Sequence, residues 1–309
     1  MPQKKSLIVG ASGQVGTQML AALGERALAT SRVVREGWLK LDVAELAEPT
    51  QAEELLDAYE LDAIYCVGGM TWVDGCEADP ELSHRTNTRG PGVLAAYARQ
   101  RGLPYVFFST DYVFDGAKEH PGPYAEDAPV NPLSVYGQTK LEGEQRVLAE
   151  HPEALVLRTT WVYGADPRQK NFLYSLMRSL SARQPMKVPQ DQVSTPTYNR
   201  DLVRVALGLV EARAAGVFHV AGPELLGRLE FAQHVARGLG LDASLLEGVT
   251  TAELKQPAAR PLDSGLSTSR LAAQHPQLRM RTPAEALQDC DAELRGFLAE
   301  LTGRPEGKN

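Results

Sequence analysis

Residues 6–16 read SLIVGASGQVG, a short apolar run followed by glycines at positions 10, 13 and 16. The apolar run is typical of a buried β-strand, and residues 15–25 have the pattern of a helix. Glycine permits a tight turn, and a helix N-terminus presents free N–H groups to an anion. The spacing is GxxGxxG, not GxGxxG. It predicts a dinucleotide-binding turn, with a packing turn in another α/β protein as the alternative. The expected cofactor contacts are Gly10, Gly13, Gln14, Val15 and Gly16.

The first half of the chain alternates short apolar runs with longer amphipathic stretches. Continuous apolar strands between helices indicate a parallel sheet covered on both faces. Right-handed crossovers make such a sheet doubly wound, so the predicted fold class is α/β and Rossmann-like. The further strands are predicted at 26–31, 62–69, 104–110 and 154–164, and the helices at 49–60, 91–102 and 134–150.

Beyond residue 160 the alternation ends. Helices are predicted within 167–185 and 191–213, a late strand at 216–224, and helices separated by proline-containing loops in the tail. We predict an NAD(P)-binding domain at 1–160. Residues 161–309 are expected to form a smaller, interleaved C-terminal substrate lobe that partly returns to the first domain.

Composition limits the classes of partner. The chain has 309 residues, a formal net charge of −7 and 43% hydrophobic residues. It offers no basic stripe for nucleic acid and no stretch long enough for a membrane span. Cys66, Cys76 and Cys290 lack the spacing of a disulfide framework or a zinc site. We therefore expect a cytoplasmic protein without metal or nucleic acid, and the sequence leaves a monomer and a homodimer both open.

Two further positions bear on the choice of cofactor. Where an acidic residue would bind an unmodified ribose, the chain has Ser31 and Arg32. A hydroxyl and a guanidinium suit a 2′-phosphate, so we expect NADPH, with NADH as the alternative; a solvated surface arginine is the other interpretation of Arg32. Asp42 follows a short apolar stretch. Its carboxylate suits either an adenine amino group or a helix N-cap, and the sequence does not separate these roles.

A second motif, SVYGQTK at 134–140, places Tyr136 and Lys140 four residues apart on one face of the predicted helix. The ordinary pKa of tyrosine is roughly 10. A nearby ammonium group, together with the positive nicotinamide of an oxidised cofactor, is expected to favour the phenolate, so that the side chain can exchange a proton with a carbonyl. Ser109 and Thr110 end the preceding predicted strand and offer hydroxyls to hold the carbonyl oxygen.

Together these motifs resemble the extended short-chain dehydrogenase/reductase family, and within it the dTDP-4-dehydrorhamnose reductases. The resemblance covers nearly the whole chain. It is carried by STDYVFDG (109–116), SVYGQTKLEGE (134–144), LRTTWVYG (157–164) and RPLDSGLSTSRL (260–271).

The resemblance implies a role for each matched residue. Tyr136 is the expected proton donor, Lys140 its partner and ribose anchor, and Thr110 the residue that orients the keto oxygen. Asp111, Tyr112 and Trp161 are expected near the substrate sugar. Asn87 is expected on the cofactor side of the site, although it also suits a helix cap.

The implied function is an oxidoreductase of carbohydrate biosynthesis: an NADPH-dependent reductase of a nucleotide-linked 4-keto-6-deoxy sugar. The alternative is a cofactor-binding regulatory subunit without turnover. The β subunit of methionine adenosyltransferase has the same fold, and this chain resembles it in several of the same motifs.

The chain also departs from the family pattern. The family loop Tyr-Thr-Ala-Val-Asp is replaced here by MTWVD, so Met70 and Trp72 do not match. Thr17 and Gln18 stand where a glutamate is common, which argues against a magnesium-bridged dimer. Ser194 and Thr195 replace a usual glycine.

Overall fold

The computed structural model describes residues 3–117 and 121–302, so the outermost residues of the two predicted domains lie outside it. Its strands are β1 Lys5–Val9, β2 Ala27–Ser31, β3 Leu39–Lys40, β4 Leu61–Cys66, β5 Tyr105–Thr110, β6 Leu155–Thr159, β7 Val162–Tyr163, β8 Met186–Pro189, β9 Val193–Ser194, β10 Thr197–Tyr198, β11 Gly216–His219, β12 Leu226–Gly227 and β13 Leu246–Val249. Its α-helices are α1 Gln14–Leu23, α2 Pro49–Leu56, α3 Val73–Ala78, α4 Pro80–His84, α5 Gly90–Gln100, α6 Val135–Glu150, α7 Phe172–Ser181, α8 Asn199–Glu211, α9 Arg228–Gly238, α10 Ser269–Gln274, α11 Pro283–Asp289 and α12 Asp291–Thr302.

The main sheet has seven parallel strands in the order β11-β6-β5-β4-β1-β2-β3. The chain runs from β1 outward to β3 and then crosses to β4 on the other side of β1. This reversal opens a crevice at the carboxyl ends of β1 and β4, which is where doubly wound sheets bind ligands. The predicted α/β fold class is confirmed, and the glycine turn follows β1 directly.

Successive side chains of the central strands enter two different cores. On β1, Leu7 and Val9 belong to one buried cluster while Ile8 belongs to the other. On β5, Phe107 and Phe108 are divided in the same way. A strand buried on both faces needs apolar residues at every position, which is why these strands are continuous apolar runs.

The second half builds a third core of its own. Residues from α7, α9, α11 and α12 form it, with Phe231 and Leu176 fully buried at its centre. In contrast, β11 pairs with β6 in the main sheet, and α8 supplies Leu202 and Val205 to a core of that sheet. This return of the chain agrees with an interleaved lobe, while the boundary at residue 160 stays a prediction.

Three local features differ from the sequence-based expectations. The segment 154–164 is not one strand, because Trp161 adopts a left-handed φ of 38° that separates β6 from β7. The short strands β3, β8, β9, β10, β12 and β13 were not predicted. Nor was the helical stretch from Val73 to Arg89. In that stretch, Arg85–Arg89 forms one turn of π-helix, a form that short sequence patterns do not reveal.

Candidate active site

The glycine turn after β1 leaves room for a ligand and for close packing of backbone. Gly10 has a φ of +84°, and a Cβ there would lie 2.5 Å from the Cα of Gly68. A Cβ at Gly16 would lie 2.4 Å from the carbonyl oxygen of Gly10. Gly13 precedes α1, whose first turn carries no acidic side chain and receives no side-chain cap. The free N–H groups of α1 therefore suit the pyrophosphate of a dinucleotide.

A cavity of about 810 Å³ extends from this turn across the carboxyl end of the sheet. Its wall includes most of the residues predicted for cofactor, catalysis and substrate: Gly10, Gly13, Gln14, Val15, Gly16, Ser31, Arg32, Thr110, Asp111, Tyr112, Tyr136, Lys140 and Trp161. The structure thus brings the two motifs, about 120 residues apart in the chain, to one site.

The end of the cavity beyond β2 carries two arginines. Arg32 and Arg35 both line it and both are exposed. The Arg35 guanidinium lies 5.1 Å from the centre of the Trp38 ring, and Ser31 accepts a hydrogen bond from the N–H of Val33. Arg35 was missed by sequence reasoning, although its position three residues after Arg32 is visible in the sequence. Two cations here suit a phosphate group.

Asp42 occupies the capping role that the sequence left open. Its Oδ1 atom accepts a hydrogen bond of 3.0 Å from the N–H of Ala44, at the start of the 3₁₀ helix Val43–Glu45. Its neighbours Leu41 and Val43 line the cavity, but Asp42 is not among the lining residues. Contact between Asp42 and an adenine stays a prediction.

Asn87 was expected to contact the cofactor, but the structure places it behind the cavity wall. The side chain is fully buried and bonds to the loop after β4: Oδ1 accepts from the N–H of Met70 at 2.9 Å, and Nδ2 donates to the Met70 carbonyl at 3.1 Å. Nδ2 also contacts the hydroxyls of Ser83 and Thr139. Asn87 therefore holds the loop that carries Gly69 and Met70, and its contact with a cofactor stays a prediction.

Tyr136 and Thr110 meet where β5 ends and α6 begins. Ser134 caps α6 by accepting a hydrogen bond from the N–H of Gly137, which fixes the first turn on which Tyr136 lies. The Thr110 hydroxyl donates a hydrogen bond of 3.1 Å to the Asp111 carboxylate and accepts one of 3.2 Å from the N–H of Tyr112. The ring of Tyr112 contacts that of Tyr136 edge-on, at 5.3 Å between centroids.

The pKa of Tyr136 differs from the sequence-based expectation. The Lys140 ammonium and an oxidised nicotinamide were together expected to favour the phenolate; in the protein alone, burial of the phenol raises the pKa well above its ordinary value, and the nearby Thr110 hydroxyl opposes this only in part. The negative charge of Asp111 also raises it. Burial thus favours the neutral phenol, the form of the side chain that can donate a proton.

Lys140 is buried one turn further along α6. Its Nζ atom donates to the carbonyl of Phe108 at 2.5 Å and lies 3.9 Å from the centre of the Phe107 ring. Burial lowers the pKa of Lys140 to about 8, and the charge of Glu144 opposes that shift. The ammonium is held at the cavity wall by β5.

Asp111 joins the two halves of the chain. Its Oδ2 atom accepts a hydrogen bond of 2.5 Å from the Ser264 hydroxyl, which comes from the RPLDSGLSTSRL motif. Burial raises the pKa of Asp111 to about 6, against hydrogen bonds from Ser264, Thr160 and Thr110. The carboxylate thus holds the end of β5 to the second half of the chain.

Trp161 lines the cavity beyond Tyr112 and is stacked from behind by Arg228. The Arg228 guanidinium lies 4.5 Å from the Trp161 ring centre and 4.2 Å from that of Phe172. Burial lowers the pKa of Arg228 to about 10. The left-handed φ of Trp161 is an uncommon conformation for a bulky residue, and such strain is concentrated at functional sites. Nothing in the sequence around Arg228 pointed to this contact.

Neither a metal site nor a membrane span is found among the described residues. In residues 3–117 and 121–302, no group of three His, Cys, Asp or Glu side chains is arranged to hold a metal ion. Over the same ranges, no helix combines the length and the apolarity that a membrane crossing requires.

Comparison with known proteins agrees with this geometry. The family model described as RmlD substrate binding domain matches residues 4–295. The chain belongs to this family. The family resemblance predicted from the motifs is therefore confirmed.

Individual members of the family are similar over most of their length. A dTDP-4-dehydrorhamnose reductase of Mycolicibacterium smegmatis is 36% identical over 237 residues, 76% of this chain and 71% of the relative. The probable low-salt glycan biosynthesis reductase Agl14 of Haloferax volcanii is 33% identical over 273 residues, 86% of this chain and 90% of the relative. The crystal structure of dTDP-4-dehydrorhamnose reductase from Bacillus anthracis in complex with NADP superposes with a TM-score of 0.85 at 27% identity, covering 94% of this chain and all of that one, 100%.

Proposed function

We propose that this chain is an NADPH-dependent reductase of a nucleotide-linked 4-keto-6-deoxyhexose, similar to dTDP-4-dehydrorhamnose reductase. The observation that carries the proposal is the convergence of Thr110, Tyr136 and Lys140 on one cavity that also contains the glycine turn. A proton donor and a dinucleotide site on the same wall are what a carbonyl reduction requires.

Different residues would bind different parts of the cofactor. The N–H groups of α1 suit the pyrophosphate, and Gly10 lets the turn before them pack against the backbone of Gly68. Arg32 and Arg35 suit a 2′-phosphate, which favours NADPH over NADH. Lys140, held by the Phe108 carbonyl, would bind the nicotinamide ribose. A reduced nicotinamide bound there supplies the hydride.

Thr110, at the end of β5, and Tyr136, in the first turn of α6, would act on the sugar carbonyl. Thr110 and Tyr136 hold the keto oxygen of the sugar between them, and Tyr136 donates its phenolic proton to that oxygen as the carbonyl carbon accepts the hydride. The ketone becomes a secondary alcohol. Tyr136 then regains a proton from solvent, so the balance is one NADPH and one proton consumed per alcohol formed. Trp161 and Tyr112 would bound the sugar.

The test is a turnover assay. The protein is mixed with NADPH and a panel of dTDP- and UDP-linked 4-keto-6-deoxyhexoses, and the loss of NADPH absorbance is followed. The same nucleotide sugars with a hydroxyl in place of the ketone are the matched controls. We expect oxidation of NADPH with at least one keto sugar and none with the controls. NADPH that binds but is oxidised with no member of the panel would contradict the proposal and favour a regulatory subunit.

A further inference from the structure

The indole of Trp72 is the most exposed of the large aromatic side chains in the described part of the chain, and it lines the cavity. Its exposed fraction is 71%. Exposed tryptophans that border a ligand cavity are informative, because a flat apolar ring left in water gains by stacking on a ligand. Trp72 lies in the loop between β4 and α3, close in sequence to Gly68 and Gly69, which line the same cavity.

The backbone beneath Trp72 is shaped for the indole. A Cβ at Gly75 would lie 2.4 Å from Cε3 and 2.7 Å from Cδ2 of the Trp72 ring. Only a residue without a side chain allows the ring to lie this close to the backbone of α3. One side of the ring is therefore supported by Gly75, while most of the side chain stays open to the cavity.

The helix that carries this pair is fixed on two sides. Asp74 accepts hydrogen bonds from the Arg260 guanidinium at 3.1 and 3.0 Å and from the N–H of Ala258 at 3.1 Å. Glu77 accepts a hydrogen bond of 2.8 Å from the N–H of Val135, the residue before Tyr136. The ring thus stands on a rigid support between the second half of the chain and the helix of the proposed proton donor.

We propose that Trp72 is the platform on which the nucleobase of the nucleotide-sugar substrate stacks, and that Gly75 is required to seat it. The inference rests on the proposed function. The adenine end of the cavity lies beyond β2, at Ser31 and Leu41, on the far side of the glycine turn. The reacting sugar must reach Thr110 and Tyr136. The nicotinamide must lie against the same carbonyl carbon to deliver its hydride. The base of the substrate, separated from its sugar by two phosphates, is then the planar group left for Trp72.

The test measures binding of thymidine 5′-diphosphate to the protein–NADP complex by calorimetry. We expect Trp72→Ala to weaken it by about 5- to 150-fold, the range of base–aromatic stacking. Trp72→Phe, which keeps a ring, should lose less. Binding of inorganic pyrophosphate and of NADP should stay within about twofold. Unchanged binding of thymidine diphosphate to Trp72→Ala, or an equal loss for pyrophosphate, would overturn the proposal.

A double variant isolates the stacking contact. Gly75→Ala alone adds one methyl group under the indole and should weaken the binding of thymidine diphosphate. The same change in a Trp72→Ala background should have little further effect on that binding. Equal effects in both backgrounds would contradict the role given to Gly75. Because binding is measured without turnover, these results stand apart from the turnover assay: a chain without reductase activity can still show the stacking contact, and an active reductase can fail to show it.

Discussion

The ammonium group of Lys140 donates a hydrogen bond of 2.5 Å to the backbone carbonyl of Phe108. This contact joins the first turns of α6 to the end of β5, the two elements that carry Tyr136 and Thr110. It holds a buried cation at the cavity wall, where the ribose of a cofactor and the phenol of Tyr136 are both expected.

Replacement of Lys140 by methionine should therefore affect two steps. We expect Lys140→Met to lower the turnover rate by roughly 10²-fold. The affinity for NADPH should fall by about tenfold, since a charge-assisted contact to the ribose is lost. Stopped-flow turnover and a fluorescence titration of NADPH measure the two effects. Lys187→Met, at an exposed lysine of β8, is the control. A loss of rate with unchanged NADPH affinity would show that Lys140 does not contact the cofactor.

Lys140 also predicts a dependence of stability on pH. Burial lowers the pKa of Lys140 from 10.5 to about 8. Between these values the unfolded chain binds more protons than the folded one, so the free energy of unfolding contributed by Lys140 rises with pH. Below about pH 8 the cost of the buried ammonium is present in full in the wild type and absent from Lys140→Met, so the stability of the variant relative to the wild type should be greatest there.

Urea unfolding of the wild type and Lys140→Met between pH 7 and about pH 10.5 checks this sign. The advantage of the methionine variant should shrink as pH rises through this window. The Lys187→Met variant should show no such trend. An advantage that is constant or that grows with pH would mean that Lys140 is not destabilised by burial.

The two arginines at the far end of the cavity predict cofactor preference. Arg32→Asp and Arg35→Asp should each weaken the binding of NADPH and improve the relative use of NADH. A carboxylate repels a 2′-phosphate and accepts a hydrogen bond from a free 2′-hydroxyl. We expect a change of about tenfold or more in the ratio of kcat/KM values for each variant. Arg237→Asp, at the exposed end of α9, is the control. If both cofactors are used as before, these arginines are surface residues and the preference for NADPH has no basis here.

Removal of divalent metal should not change the activity. The described residues hold no cluster of metal-binding side chains, and Thr17 and Gln18 stand where relatives commonly have a glutamate. Turnover after exhaustive dialysis against a chelator should equal that of the untreated enzyme. A large loss that magnesium restores would reveal a metal site that neither the sequence nor the geometry indicated.

The parallel sheet and the shared helix face of Tyr136 and Lys140 could be predicted from the sequence, because both follow from local patterns. Phe107 and Phe108 enter different cores, so a strand buried on both faces has to be a continuous apolar run. Tyr136 and Lys140 share a helix face because of their spacing alone. Local patterns of this kind can be read without knowing the tertiary structure.

Other features depend on contacts between distant segments. The stacking of Arg228 on Trp161 joins residues 67 positions apart, and no local pattern encodes it. The raised pKa of Tyr136 follows from burial, which spacing does not report. Asn87 lies in a π-helical turn at Arg85–Arg89 and bonds to the loop after β4, and the sequence gives no sign of that turn.

The central claim is that Tyr136 donates the proton in a carbonyl reduction, and Tyr136→Phe tests it most directly. The change removes one hydroxyl while keeping the ring and its contact with Tyr112. NADPH oxidation should be measured for both proteins with a nucleotide-linked 4-keto-6-deoxyhexose that the wild type reduces. We predict a rate lower by roughly 10²–10⁴-fold, with NADPH affinity and melting temperature close to those of the wild type. A folded Tyr136→Phe protein that reduces the sugar at the wild-type rate would contradict the mechanism.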